Sequence, residues 1–349
     1  MRIAQIAPLI ESVPPRLYGG TERVVHYLTE ELVRQGHDVT LFASGDSATS
    51  ARLVACVPEA LRLNPRVKEP LPYMVLQLEQ VRQRAREFDV LHFHIDFVHF
   101  PIFRDMARRT VTTLHGRLDL PDIHPVYREF CDMPLVSISH HQRLPMPPVH
   151  WAGTVYHGLP RDVCRFNPLP KGDYLAFLGR ISPEKRPDRA IEIARRAGMR
   201  LMIAAKVDKV DETYFQERIK PLLADPQVEF IGEIDEAQKS EFLGNALGLL
   251  FPIDWPEPFG LVMIEAMSCG TPVIAWRCGS VPEVVEPGVT GFIVESIEAA
   301  VDAVRRVHML DRAVVRHRFE ERFSAERMAR DYLSVYRALA AAGRATRAA

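Results

Sequence analysis

The chain is predicted to fold as two α/β domains, each a doubly wound parallel sheet. Three observations carry the prediction. A length of 349 residues exceeds what one hydrophobic core ordinarily serves. Short apolar runs alternate with stretches of helical period, the order expected when crossover helices lay strands parallel. The alternation halts at 158–172, a stretch rich in Pro and Gly, and then restarts.

In the first half, 2–7 reads as a short apolar strand. Gly19 and Gly20 precede a helix whose Val24, Val25, Leu28 and Leu32 share one face, and which stops at Gln35-Gly36-His37. Residues 38–43, 89–94, 110–115, 134–139 and 151–156 repeat the strand theme. The expected first domain is 1–157, with 158–172 as linker. In the second half 174–178, 200–204, 228–231, 247–252, 272–275 and 291–294 read as strands of a domain over 173–323. A final helical segment occupies 324–349, its period clearest over 325–342. In open sheets of this kind ligands bind at the carboxyl ends of the strands, and two such sheets facing each other make a cleft. Polar residues just after strands are therefore the first candidates for a site.

Composition narrows the function. Hydrophobic content of 47% and charge of 26% are ordinary for a globular protein. A net charge of −1 gives no electrostatic case for nucleic acid. No apolar run reaches the length needed to cross a bilayer, and the opening residues do not make a secretory leader. The cysteines (Cys56, Cys131, Cys164, Cys269, Cys278) are scattered, odd in number and without C-x-x-C spacing. Free thiols in a reducing cytoplasm are the simplest reading.

The most informative segment runs from Glu257 to Glu265, E-P-F-G-L-V-M-I-E. Gly260 has no side chain to fend off a ligand. The amides after it, from Leu261 on, are the unpaired donors of a helix start, at the positive end of its dipole. Such a place suits a phosphate, with hydroxyl-bearing groups reaching the carboxylates on either side. Upstream, F-L-G-R-I-S-P-E-K places Gly179, Arg180 and Lys185 after a strand. Two cations there fit a diphosphate, while the plain alternative is a pair of solvated charges.

These motifs together resemble retaining glycosyltransferases of family 4. The carriers are the E-x7-E pattern containing Phe259-Gly260, the A-x-S-C-G-T-P-V-I-A behind it, the G-R-x4-K element, and the N-terminal Gly19-Gly20. The resemblance spans nearly the whole chain and is strongest over 174–292. It implies the GT-B fold, with two Rossmann-like domains facing across a cleft and the C-terminal helix crossing back to the first. It implies that Glu265 binds the ribose hydroxyls. Glu257 would hold the donor sugar, helped by amides around Phe259, Gly260 and Leu261. Arg180 and Lys185 would neutralise the leaving diphosphate, and the backbone of Gly232 to Ile234 would meet the base. His115 would touch the donor sugar near its reacting carbon. Two departures stand out: Arg186 where the family usually has Gly, and His157-Gly158 where it often has Asn-Gly.

Each of these residues has a plainer alternative. Glu265 can face solvent, Glu257 can be an ordinary loop acid, and His115 can be a capping or core histidine. A Gly-Gly before a helix is common, and here it does not make G-x-G-x-x-G, which argues against a dinucleotide oxidoreductase. His92 and His94 share one strand face, with His99 near. A third ligand of clear spacing is missing, so a metal site is not expected. Position instead puts His94 and Asp96 on the acceptor side. Trp255 is expected at the domain edge.

The expected activity is transfer of a hexosyl group from a nucleotide-diphosphate sugar, a UDP-sugar before a GDP-sugar, to an acceptor hydroxyl. Retention by a same-face mechanism is expected, with no metal and no other cofactor. The runner-up readings are a nucleotide-sugar epimerase of the same architecture and a nucleotide-sugar-binding protein without turnover. The acceptor stays open among saccharide, lipid and small molecule. Arg62, Arg66, Lys68, Arg82, Arg84 and Arg86 lie near the acceptor side. They suggest at most weak peripheral contact with the inner face of a membrane, and otherwise a solvated helix face.

Overall fold

The computed structural model describes residues 1–16, 19–62 and 64–345. The chain divides into two compact units. The first comprises Met1–Gly158 together with the segment from Ala325 onward, and the second is Leu159–Ser324.

The first unit is built on seven parallel strands: β1 Arg2–Ile6, β2 Asp38–Ser44, β3 Arg52–Val57, β4 Val90–Phe93, β5 Thr110–Thr113, β6 Leu135–Ser137 and β7 Trp151–Thr154. Their order is β3-β2-β1-β4-β5-β6-β7, so the direction of winding reverses between β1 and β4. Helix Gly20–Arg34 buries Val24, Val25, Leu28 and Leu32 completely, the face that the sequence marks. Strand β3 escapes the sequence reading. It is an edge strand, Arg-Leu-Val-Ala-Cys-Val, whose short apolar run shows no alternation and is buried only at Val57. The closing helix Ala325–Ala345 buries Met328, Ala329, Tyr332, Leu333 and Tyr336, an i, i+3, i+4 stripe. Its two tyrosines reach the sheet of this unit: Tyr332 OH meets Thr113 Oγ1 (2.9 Å) and Tyr336 OH meets His92 Nδ1 (2.7 Å).

The second unit has six parallel strands: β8 Tyr174–Arg180, β9 Arg200–Lys206, β10 Val228–Gly232, β11 Gly248–Phe251, β12 Val273–Trp276 and β13 Gly291–Val294. The order is β10-β9-β8-β11-β12-β13, with reversal between β8 and β11. Leu175, Phe177, Ile191, Leu201, Ile203 and Leu250 are among the side chains of its core.

Where the sequence suggests a linker over 158–172, residues 159–172 are instead tied into the second unit. The Asn167 amide donates to the Cys269 carbonyl (3.0 Å) and the Gly172 amide to the Asn245 carbonyl (3.1 Å). Arg312 Nε donates to the Asn167 carbonyl (2.8 Å). A stretch without period has no ladder of its own, so its backbone groups take partners from loops and side chains around it.

Candidate active site

The reversal of strand order in the second unit sets two loops side by side, one after β8 and one after β11. Such a switch point is where open sheets receive ligands. The first loop brings Lys185, on a short turn Pro183–Lys185, and the second brings Trp255 and Glu257. Lys185 Nζ donates to Glu257 Oε2 and lies over the Trp255 ring, 4.9 Å from its centroid. Trp255 Nε1 donates to the same carboxylate oxygen (3.1 Å). Trp255, expected at the domain edge, is thus part of this cluster. It serves Lys185 through its π face and Glu257 through its N–H.

The loop carrying Glu257 is clamped from behind by the turn after β12. The Ser280 amide donates to the Glu257 carbonyl (3.0 Å), and Ser280 Oγ donates to the Phe259 carbonyl (2.7 Å). Gly279 has φ +57, and a Cβ there would lie 2.4 Å from both the amide nitrogen and the carbonyl oxygen of Glu257. Only glycine fits this approach. Gly260, at φ +80, caps helix Leu261–Ser268 without a side-chain hydrogen bond. Leu261 begins that helix, and Phe259 beside Gly260 is buried.

Arg180 ends β8 among three carboxylates. It pairs with Glu184, and it lies 3.8 Å from Asp208 and 3.5 Å from Asp211. Burial raises the Asp211 carboxyl above its ordinary range, against the pull of Arg180. Both cations expected to be open to a diphosphate are therefore already ion-paired, because the loops that deliver them also deliver acids. Gly179, beside Arg180, has open space where a side chain would stand, as does Gly232 at φ +77. Ile234, beyond Gly232, is half-buried just before the capping box of helix Glu236–Asn245.

Glu265 is buried in helix Leu261–Ser268 rather than turned to solvent. Lys239 Nζ, on helix Glu236–Asn245, donates to Glu265 Oε1 (3.0 Å). The sequence gives little warning of this partner, since Lys239 sits in a polar helix like any surface lysine.

In the first unit, Gly20 opens helix Gly20–Arg34 and Gly19 precedes it. A Cβ on Gly19 would lie 2.7 Å from Pro15 Cβ, so the approach of the proline loop requires glycine. Leu17 and Tyr18 lie outside the described residues. His115 follows β5, and its Nε2 meets His94 Nδ1 (2.9 Å). His94, expected to face an acceptor, is 3% exposed, and its other nitrogen is taken by Gln5 Oε1 (2.8 Å). Both of its ring nitrogens are spent inside the protein. Asp96 is exposed, in the left-handed region at φ 53. His157 stacks on His115, with ring centroids 5.3 Å apart, and Arg327 holds the His157 carbonyl (2.8 Å). Burial holds His92, His94, His99 and His157 well below the usual imidazole range, and brings His115 down to about 3. Among the described residues no group of three or more His, Cys, Asp and Glu is arranged to hold a metal ion.

Comparison with known proteins bears on this arrangement. The family model described as Glycosyl transferases group 1 matches residues 165–323, and that of Glycosyltransferase Family 4 matches residues 18–146. The chain belongs to glycosyltransferase family 4. A D-inositol 3-phosphate glycosyltransferase of Segniliparus rotundus is 32% identical over 191 residues, which are 48% of this chain and 40% of that protein. The chain matches less than half the length of such curated relatives. Sucrose-phosphate synthase of Thermosynechococcus elongatus aligns with a TM-score of 0.77 at 19% identity, covering 98% of this chain and 99% of that one. Anabaena HepE, solved in complex with UDP-glucose, gives 0.71 at 17% identity, covering 97% and 100%. These likenesses give the fold, two Rossmann-like parallel-sheet domains of the GT-B type.

One departure of this family 4 member from the expected motif now has a physical account. Arg186 adopts φ 53 and ψ 53, the left-handed conformation that glycine takes without strain. The loop therefore keeps a glycine-like course with arginine in place. Its guanidinium is held by Asp188 Oδ2 (2.9 Å) and Asp254 Oδ2 (2.9 Å), and Asp254 comes from the loop that carries Glu257. No helix among the described residues is long and apolar enough to cross a membrane. Arg62, Arg82 and Arg84 pair with Glu11, Glu79 and Glu87.

Proposed function

We propose that the chain transfers a hexosyl group from a nucleotide-diphosphate sugar to an acceptor hydroxyl, with retention of anomeric configuration and without a metal. The observation that carries this reading is the Lys185–Glu257–Trp255 cluster beside the glycine-capped helix start at the switch point. An arriving diphosphate competes for Lys185 and for the first-turn amides after Gly260. Losing Lys185 releases Glu257 Oε2 to accept hydrogen bonds from sugar hydroxyls. Donor binding thus exchanges one ion pair for another, and the cost of baring Lys185 is avoided. As the leaving diphosphate gains charge, Lys185 and the helix dipole stabilise it in place. Arg180 contributes less, since three carboxylates already surround it. Glu265 is assigned to the ribose, and the hydrogen bond from Lys239 aims its carboxylate. His115 is assigned to the donor sugar, a role that the family resemblance implies. A UDP-sugar is the first donor to try, because Anabaena HepE, of the same fold, was solved with UDP-glucose.

The test is a donor-hydrolysis screen over UDP-, GDP- and ADP-sugars, followed by an acceptor screen with the best donor. Proton NMR of the product, with and without chelator, reads the anomeric coupling. An α-linked product from an α-linked donor, formed equally with chelator, is expected. A β-linked product overturns retention, and loss of activity in chelator overturns metal independence. Turnover of the donor to an epimer, with no acceptor present, overturns transfer itself.

A further inference from the structure

A continuous chain of hydrogen bonds runs through the buried sheet of the first unit and ends at His115. Gln5 stands on β1 in register with His92 on β4, and neither side chain is exposed. From the Gln5 amide the chain leaves in two directions. On one side Nε2 donates to Tyr336 OH (3.2 Å), Tyr336 OH meets His92 Nδ1 (2.7 Å), and His92 Nε2 meets Thr113 Oγ1 (2.8 Å). On the other side Oε1 meets His94 Nε2 (2.8 Å), and His94 Nδ1 meets His115 Nε2 (2.9 Å).

The amide is the one member whose two ends cannot exchange roles, so it sets the direction of every other bond. Its oxygen can only accept, so His94 must carry its proton on Nε2. A neutral His94 then has a bare Nδ1, which can only accept. His115 must therefore place its own proton on Nε2 and leave Nδ1 bare. That atom is buried and has no hydrogen-bond partner among the described residues.

We propose that Gln5 is a positioning residue that fixes the tautomer of His115 through His94. The ring then offers a ligand hydrogen-bond acceptance at Nδ1, its one proton being held on Nε2 against His94. This rests on the proposed function only for what the ligand is. Under that reading His115 accepts from a sugar hydroxyl and does not protonate the leaving group. Burial supports the neutral form, bringing His115 down to about 3. The rings against it are those of His94 and His157; His92 and Tyr336 lie beyond His94, Arg327 holds the His157 carbonyl, and Tyr332 bonds Thr113.

The test uses the full chain with nitrogen-15 in its histidine rings, read by long-range proton–nitrogen correlation at neutral pH. His115→Asn assigns the signal. In the wild type His115 should show a protonated Nε2 and a bare Nδ1. Tyr336→Phe keeps the ring but removes the hydroxyl that orients the amide, and it touches neither His94 nor His115. It should mix the two tautomers of His115, as should Gln5→Met. A proton on Nδ1 in the wild type, the outcome of an amide turned over, overturns the proposal. So does an unchanged tautomer in both variants while circular dichroism shows them folded. With an active donor in hand, Tyr336→Phe should lower kcat/KM about tenfold, a typical loss for one hydrogen bond. The wild-type rate should show no acidic limb assignable to His115 above pH 5. Such a limb, abolished in His115→Asn, would overturn the assignment as acceptor. Failure of every donor would sink the proposed function and leave the tautomer result to stand or fall by itself.

Discussion

Mild acid should unfold this protein, and the first unit should be the cause. Its interior holds His92, His94, His99, His115 and His157, and burial keeps all of them neutral. In the unfolded chain each returns to its ordinary value of 6.5. The sign follows from proton counting. As pH falls below 6.5 the unfolded chain binds protons that the folded chain refuses, so stability falls with pH until the folded rings titrate in turn. At pH 5.5 each ring favours the unfolded state by about 1.4 kcal/mol, and the five together by about 7 kcal/mol. At pH 7 the same five contribute under about 1 kcal/mol. The difference, about 6 kcal/mol, is comparable with the whole stability of a typical domain. The assay is denaturant unfolding at half-unit steps from pH 7.5 to 5, with hydrogen exchange to show which segments open. His99 offers a control outside the Gln5 chain: it stacks on Phe93 and bonds Thr112 Oγ1 (2.9 Å). The pair His99→Phe with Thr112→Val should make the pH slope shallower by about 1.4 kcal/mol per unit. A wild-type slope below about 2 kcal/mol per unit between pH 6 and 5 would refute the claim that these rings stay neutral.

Further outcomes follow from the second unit. Lys185→Ala should cut turnover by about two orders of magnitude, and Arg180→Ala by less, because Lys185 faces one carboxylate and Arg180 three; steady-state rates with a working donor would show the reverse order if the assignment is wrong. Lys239→Ala should destabilise the fold, since it removes the ammonium that pairs with the buried Glu265. Adding Glu265→Ala should recover part of that loss in urea melts, and full additivity would mean the two do not interact. Glu265→Ala alone should weaken a free nucleotide diphosphate by about 2 kcal/mol in calorimetry while Glu257→Ala leaves it bound; equal losses would contradict the division of roles. Arg186→Gly should be about 1 kcal/mol more stable than Arg186→Ala, because both lose the same ion pairs and only glycine relieves the left-handed backbone. Equal melting of the two variants would argue against strain at that position.

What the sequence made legible is what periodicity and local motif encode. The buried faces of helix Gly20–Arg34 and of the closing helix, and twelve of the thirteen strands among the described residues, follow from apolar spacing. Strand β3 does not stand out, because its apolar run at 53–57 is short, lacks alternation and stays mostly half-exposed at the sheet edge. The E-x7-E segment and the G-R-x4-K element could be found because their residues are neighbours in sequence. Their actual partners could not. Lys239 reaches Glu265 from 26 positions away, Lys185 reaches Glu257 from 72, and Tyr336 reaches Gln5 from 331. Gly279 gave the faintest usable signal, a glycine just after a strand, but only the fold shows that it lies against the backbone of Glu257. The same distance effect misled the reading of His94. Its place at the end of a strand suggested an outward role, whereas Gln5 from the neighbouring strand and His115 turn it inward.

The two units differ in the charge of the polar groups that they gather. Around the switch point of the second unit the candidate groups are ions in close pairs: Lys185 with Glu257, Lys239 with Glu265, and Arg180 among acids. At the corresponding strand ends of the first unit they are neutral rings, an amide and hydroxyls, joined by directional hydrogen bonds. A nucleotide-diphosphate sugar is asymmetric in the same way, with its charge on the diphosphate and only neutral hydroxyls on the hexose. Ion pairs that can be exchanged suit the first part, since charge is replaced by charge. A rigid neutral network suits the second, because discrimination among hydroxyls depends on whether each buried donor and acceptor finds its complement. If this division is real, salt and substitution should separate the two. Raising ionic strength should weaken capture of the free nucleotide diphosphate. Breaking the Gln5 chain by Tyr336→Phe should leave that capture intact and relax the preference between epimeric hexoses on the same nucleotide. Equal sensitivity of nucleotide binding to both perturbations would refute the assignment of the second unit's ion pairs to the diphosphate.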